Sequence, residues 1–592
     1  MPDYKAPIRD IQFTLYDVLG AEQHYQRIGA VEASRDLVDA ILTEGGKFAE
    51  EVLSPLNQLG DRQGCKFENG LVTTPTGFKE AYAQYVAGGW PSLAGNPVYG
   101  GQGLPESLSV VIYELISTAN WAWGMYPGLS HGAKLTLAAY GTEEQKQLYL
   151  NKLTSGEWTG TMCLTESHCG TDLGLLKTRA EPQVDGSYRI TGTKIFISAG
   201  DHDMAENIVH IVLARLPDAP GGTRGISLFI VPKLDPTTAQ SNNVVCGSIE
   251  HKMGIKASAT CVMNFEDSQG YLVGELNNGL PNMFTMMNYE RLSMGLQGNG
   301  LAESSYQIAA EYAKERLQGR APSGAQLADE SADPILVHPD VRRMLLTMRA
   351  NVIAGRALSL YAAFQLDIAR FHEVADVRKQ AEQLVALLIP VQKAYCTDRG
   401  FESCVLGQQV LGGHGYVAEW GLEQNVRDAR IAQIYEGANG IQALDLMGRK
   451  TVRGNGELLK VLVAQMDEFI HEQQSVPAMQ PYIEIFTDSK QRLVDTTAAI
   501  ISKAADAPDE IGAASYAYME LMGLTLHCFM WQRILAATLM AQEAGSGDRE
   551  YLDGLIKTGE FFLYRMLPRS KSLVEEIAAG ATAMMAMSAE QF

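Results

Sequence analysis

The stretch Ala432-Gln433-Ile434-Tyr435-Glu436-Gly437-Ala438-Asn439-Gly440-Ile441-Gln442 sets one carboxylate between an apolar, aromatic approach and a Gly-X-X-Gly exit. That composition reads as a tight loop feeding a helix that resumes at Ile441. A glutamate so placed can face a closed apolar pocket, where burial disfavours the charged form and raises its pKa toward the working pH. Such a carboxylate suits the removal of a proton from carbon. Most loop glutamates are simply solvated, so the rest of the chain must decide between the two readings.

At 592 residues the chain is too long for a single core and is expected to hold three or four domains. Its hydrophobic fraction of 46% and charged fraction of 20% are those of an ordinary globular protein. A net charge of -21 repels phosphate backbones, so nucleic acid is not an expected partner. The eight cysteines form no C-x-x-C pair, which fits reduced thiols and no metal site. The opening Met1-Pro2-Asp3-Tyr4-Lys5-Ala6-Pro7 has neither an apolar core nor the Arg/Ser bias of a presequence. The apolar run Leu384 to Val391 is short and contains Pro390, so no membrane span is expected and the location is read as cytoplasmic.

Apolar spacing of three and four makes residues 1-158 mainly helical, with segments at Val31 to Leu53, Thr76 to Ala87, Leu108 to Ser117 and Glu143 to Leu153. The cluster Gly100-Gly101-Gln102-Gly103 reads as a turn, and no G-x-G-x-x-G follows a strand. In 159-277 the pattern changes to short β-branched runs at Tyr188 to Ser198, Asn207 to Arg215, Gly225 to Pro232 and Thr260 to Phe265. Helical periodicity returns over 278-450, in long segments at Arg291 to Leu317, Pro339 to Phe371 and Val377 to Ser403. A further helical region fills 451-592. Its Lys and Arg residues are fewer than its Asp and Glu residues, so it is no basic tail. The fold class is therefore mainly α with an inserted β domain.

This order, with a Tyr-Glu-Gly loop late in the helical bundle, resembles the acyl-CoA dehydrogenase family over about residues 38 to 450. The motifs behind the resemblance are Met162-Cys163-Leu164-Thr165-Glu166-Ser167-His168-Cys169-Gly170-Thr171-Asp172, Gly192-Thr193-Lys194-Ile195-Phe196-Ile197-Ser198, Met253-Gly254-Ile255-Lys256, Glu315-Arg316 and Gln409-Val410-Leu411-Gly412-Gly413-His414-Gly415. It implies an N-terminal helical domain, a β-barrel-like middle domain and a four-helix bundle, here followed by an additional C-terminal helical domain. The length and the opening Pro2 to Asp10 look like the long bacterial form of the family.

The resemblance implies FAD bound without a Rossmann fold. Leu164 and Thr165 would bond the flavin's pyrimidine edge, Gly170 and Thr171 would meet the pyrophosphate, and Phe196 and Ser198 would line the ring. Arg316, Gln409, Gly412 and Gly413 would come from a neighbouring subunit, which implies a homodimer. The implied reaction is α,β-dehydrogenation of an acyl-CoA thioester, with electron-transferring flavoprotein as acceptor. Glu436 is the expected base and Glu290, in Tyr289-Glu290-Arg291, the runner-up; Arg291, Tyr435 and Gly437 are the substrate-side candidates. Fatty acyl-CoA of β-oxidation is the first substrate reading and 3-(methylthio)propanoyl-CoA the second. Rivals are an acyl-CoA oxidase and a DNA-binding flavoprotein of the same fold, the latter opposed by the acidic C-terminal region. Two departures stand out: Ser167-His168-Cys169 replaces the usual Pro-Gly-Ala, and Ala438 and Gly440 replace the usual Thr and Gln beside the flavin.

Overall fold

A computed structural model describes residues 4-592, so Pro2 and Asp3 of the opening quoted above lie outside the described residues. The chain divides into two compact units: Lys47–Ser109 with Ala119–Ser293, and Met1–Gly46 with Val110–Thr118 and Met294–Phe592.

The first unit holds both sheets. A short hairpin pairs β1 (Lys66–Glu68) with β2 (Leu71–Thr73). The larger sheet comprises β3 (Trp158–Cys163), β4 (Arg179–Pro182), β5 (Tyr188–Ser198), β6 (Asn207–Arg215), β7 (Ile226–Pro232), β8 (Val244–Ile249) and β9 (Thr260–Leu272). Strand β6 pairs with β4 and with β7, and the path β4-β5-β9-β7 joins them, so five strands close into a barrel. β3 lies parallel along β6, and β8 adds to β9. Closure leaves the inward side chains Ile190, Val212, Phe229, Met263 and Phe265 as a dry core. β5 and β6 have the ends expected from their β-branched runs, while β9 continues seven residues past Phe265 to Leu272. β3, β4 and β8 escaped the sequence reading because each is short and lacks a clean period of two.

The helix α1 (Glu106–Tyr140) is longer than the expected Leu108 to Ser117. It kinks at Asn120 (φ -160°, ψ 87°), whose Oδ1 accepts from Trp123 N–H and restarts the helix like a cap.

The second unit is helical. It contains the later part of α2 (Gly279–Glu315), then α3 (Pro339–Phe371), α4 (Ala375–Val410), α5 (Leu422–Arg430), α6 (Asn439–Leu444), α7 (Glu457–Gln473), α8 (Gln480–Ala504), α9 (Asp509–Glu543), α10 (Arg549–Phe561) and α11 (Arg569–Ala578). α3 spans the segment read from the sequence and starts on Pro339, where a missing N–H leaves no helix bond unmade. By length and composition α3 could cross a membrane, which the search for uninterrupted apolar runs did not single out; 89% of its most apolar window is buried within the protein. Its Arg356 is buried and bonds Glu114 at 2.7 Å and Glu303 at 2.8 Å, so this enclosed cation is held between two carboxylates.

Helix α9 docks on α4 through one stripe. Tyr516, Glu520, Gly523 and His527 recur at spacings of four, three and four, which places them on one face. Facing them on α4, Asp398 accepts from Tyr516, Arg399 pairs with Glu520 at 3.2 Å, and the Tyr395 ring lies 4.8 Å from His527. A Cβ on Gly523 would sit 2.2 Å from two carbons of the Tyr395 ring. Gly523→Ala is therefore expected to destabilise by about 1–3 kcal/mol through overpacking, read as a lower urea midpoint.

Candidate functional site

The candidate residues fall into sets, each held by its own unit. In the barrel unit, Leu164 and Thr165 follow directly from β3, and the turn after them is closed by Glu166 N–H to Cys169 O at 2.9 Å and Cys169 N–H to Glu166 O at 3.1 Å. This is how Ser167-His168-Cys169 builds the turn without the usual Pro-Gly-Ala. His168 points its Nε2 at the Leu175 carbonyl, 3.0 Å away, and stays at the surface. Gly170 and Thr171 are exposed just beyond.

β5 is bulged between Lys194 and Ile197, so Ile195 and Phe196 drop out of register with β9. Ile195 N–H instead bonds the Thr165 carbonyl at 2.9 Å, which ties the bulge to the first motif. Phe196 is left with φ 58° and is 59% exposed, while Ser198 is half-buried two residues on. A phenyl ring held outward on a strained backbone suits stacking on a flat group.

Beneath the bulge lies a fully buried cation that the sequence reading did not select. Lys194 Nζ donates to the Leu164 carbonyl and to Glu166 Oε1, both at 2.9 Å. Burial alone would push the Glu166 carboxyl up, but the Lys194 ammonium and the donors of Thr178 and Lys177 hold it down at about 2. The only sequence signal was a lysine on an otherwise apolar face of a strand.

In the same unit, Glu290 is buried at 2% exposure. A Cβ on Gly132 would lie 2.9 Å from its Oε1, so the carboxyl packs directly on that glycine. Nearby, His131 Nε2 is 2.6 Å from Glu106 and its ring is 4.4 Å from that of Tyr289. Arg291 is buried and its Nη1 donates to Asn288 Oδ1 at 3.4 Å.

In the helical unit, Glu436 is half-buried with φ 55°, and Gly437 follows at φ 85°. Two left-handed residues in succession turn the chain sharply before α6 begins at Asn439, two residues earlier than expected. Gly437 suits this turn, since at φ 85° any other side chain is strained and a Cβ would also displace Gln442 Nε2, 2.4 Å away. Gln442 Nε2 donates to the Glu436 carbonyl at 3.1 Å, and Lys393 Nζ to the Gly437 carbonyl and to Asn439 Oδ1, each at 2.8 Å. Tyr435 donates its hydroxyl to Gln297 Oε1 at 2.6 Å. A cavity of about 480 Å³ adjoins this loop, with Asp398, Arg430, Ile434, Asn439, Gly440 and Tyr516 in its wall. Lys393, Asp398 and Gln297 went unnoticed in the sequence because a polar residue inside a long helix gives no sign of what it meets.

Arg316, Gln409, Gly412 and Gly413 are all exposed. Tyr312 Oη and His414 Nδ1, 2.9 Å apart, bring the end of α2 to the turn that contains Gly412 and Gly413.

Sequence profiles described as the acyl-CoA dehydrogenase N-terminal, middle and C-terminal domains match residues 39-157, 161-268 and 277-450. One described as acetyl-CoA dehydrogenase C-terminal like matches 462-588. The 3-methylmercaptopropionyl-CoA dehydrogenase of Ruegeria pomeroyi is 41% identical, over 95% of this chain and 96% of that protein. The chain belongs to the acyl-CoA dehydrogenase family. Another acyl-CoA dehydrogenase, the broad-specificity linear enzyme FadE5 of Mycobacterium tuberculosis, is 33% identical over 98% of both chains. A crystal structure of a Bacillus anthracis acyl-CoA dehydrogenase complexed with FAD has a TM-score of 0.75 at 22% identity, covering 93% of this chain and 89% of that one, and shows the shared fold. As a member of this family the protein is an FAD-dependent oxidoreductase acting on acyl-CoA. The donor set fits that cofactor: an exposed aromatic face at Phe196, hydroxyls at Thr165 and Ser198, and an exposed Gly170-Thr171 turn.

Two outcomes follow from the Lys194 and Glu166 pair. Lys194→Met leaves a buried carboxylate without its cation and is expected to destabilise by about 3–5 kcal/mol in chemical unfolding. Because the Glu166 pKa is lowered from 4.5 to about 2, the pair's contribution is complete above about pH 4.5 and is lost as pH falls toward 2. The native chain's thermal midpoint should therefore drop across that window by more than that of Lys194→Met.

Proposed function

We propose that this acyl-CoA dehydrogenase removes the α-proton of 3-(methylthio)propanoyl-CoA with Glu436. The observation that carries the choice of base is the half-buried carboxylate on a left-handed turn whose backbone is held by Gln442 and Lys393. A base must be both reachable by substrate and fixed in aim. Glu290 is less suited, since it is almost fully buried against Gly132. The full-length similarity to the Ruegeria pomeroyi enzyme supports the thioether substrate. A linear fatty acyl-CoA of β-oxidation is the second reading, supported by the similarity to the Mycobacterium tuberculosis enzyme.

In this reading the Glu436 backbone N–H would donate to the thioester oxygen as negative charge grows on it, which makes the α-proton acidic enough to transfer. FAD, when bound, accepts the β-hydrogen as hydride. Leu164 and Thr165 would hold the polar edge of its ring, Phe196 and Ser198 its face, and Gly170 and Thr171 its phosphates. Arg316, Gln409, Gly412 and Gly413 would grip the FAD of a second protomer, which their exposure favours, so the protein works as a homodimer. Tyr435 and Gly437 shape the substrate side of the loop. Arg291 keeps positive charge beside Glu290. Electron-transferring flavoprotein takes the electrons, and the enzyme acts in the cytoplasm.

With a dye as acceptor, turnover should be highest on 3-(methylthio)propanoyl-CoA among short- to long-chain acyl-CoAs. A clear maximum at a long chain would favour the fatty acyl reading, and peroxide formation without dye an oxidase. Glu436→Gln should lose about 100-fold or more in turnover with FAD still bound. Loss in Glu290→Gln alone would reverse the assignment of the base.

A further inference from the structure

The network behind the catalytic loop reaches into the additional C-terminal region. Asp398 on α4 is buried, and its carboxylate collects three donors from three parts of the helical unit. Gln433 Nε2 donates to Oδ1 at 2.6 Å, Asn439 Nδ2 donates to the same oxygen at 2.7 Å, and Tyr516 on α9 donates its hydroxyl to Oδ2 at 2.5 Å. Gln433 stands three residues before Glu436 and Asn439 three after it. One carboxylate thus ties both feet of the left-handed turn, while Lys393 holds its exit from the same helix.

We propose that Asp398 and Tyr516 are positioning residues for the dehydrogenation, through which the C-terminal helical region sets the aim of Glu436. This rests on Glu436 being the base. The two oxygens of Asp398 have separate duties: Oδ1 fixes the turn, and Oδ2 is turned toward α9 by the Tyr516 hydroxyl. The α9 stripe supplies the register, because the Glu520 pair with Arg399 and the close seat of Gly523 on Tyr395 leave Tyr516 opposite Asp398. A carboxylate with a fixed rotamer presents its Oδ1 lone pairs in fixed directions, which Gln433 and Asn439 then follow. Without the Tyr516 hydroxyl, Asp398 can rotate toward the adjoining cavity, and the Gln433 foot of the turn loosens while Asn439 keeps its bonds to Ala394, Thr397 and Lys393.

The test compares Tyr516→Phe, Asp398→Asn and Asp398→Ala as full-length, FAD-loaded enzymes. Each is assayed for kcat and KM, for FAD content by absorbance, for thermal midpoint, and for exchange of the acyl α-proton with deuterated water in the absence of an acceptor. Tyr516→Phe is expected to lower kcat and α-proton exchange together by about 3- to 10-fold, with KM and flavin content unchanged and the protein still fully folded at the assay temperature. Asp398→Ala should lose more of both rates, and Asp398→Asn, which keeps an acceptor for Gln433 and Asn439, should recover part of them. Full kcat in Tyr516→Phe, or a loss that only follows lost flavin or lost folded protein, overturns the proposal. Glu436→Gln run beside them separates the two claims. If it retains turnover, the assignment of the base has failed; if it is inactive while Tyr516→Phe behaves as the native enzyme, only the positioning role has failed.

Discussion

A side chain in the left-handed backbone region costs about 1–2 kcal/mol against the ordinary conformations, and Glu436 is held there permanently. What holds it is a buried cation. Lys393, fully enclosed on α4, donates to the Gly437 carbonyl and to Asn439 at the start of α6. A buried ammonium is strongly unfavourable unless its hydrogens are taken, and these two acceptors meet part of that demand, which couples the turn to α4. The strain at one residue is offset by the penalty of undoing its neighbour.

The barrel unit uses the same device. Lys194 is also fully buried, also donates to a backbone carbonyl and a side-chain acceptor, and also sits beside a residue in the left-handed region, here Phe196. Its partner Glu166 is charged, which strengthens that bond. Phe196 and Glu436 thus each lie close to a buried lysine whose hydrogens are taken by backbone and side-chain acceptors. Both depend on charges rooted in a regular element, a strand for Lys194 and a helix for Lys393, because only such elements are rigid enough to transmit a position.

The C-terminal helices extend this arrangement in the helical unit. The face of α9 that meets α4 combines a glycine under an aromatic ring, an ion pair and a phenol bonded to a carboxylate. Apolar contact alone would allow α9 to slide by a turn; the polar pairs admit a single register.

Much of this was legible in the sequence. The β-branched runs of β5 and β6 and the long apolar helix α3 are marked by residue type within the segment itself, which needs no help from its neighbours. The Tyr435-Glu436-Gly437 loop was recognisable because a glycine after a lone acid marks a turn and because the family's motifs surround it. Tertiary structure decided the rest. Lys194, Lys393 and Asp398 are charged residues of a kind that usually faces water, and nothing local distinguishes a lysine in solvent from one bound to a carbonyl 44 residues away. The bulge at Phe196, the enclosure of Glu290 by Gly132 and the approach of Tyr516 to Asp398 are likewise properties of two segments at once. Local pattern determines which face of an element is apolar; the partners of a buried charge are set by whatever packing brings within 3 Å, and that is known only when the chain has folded.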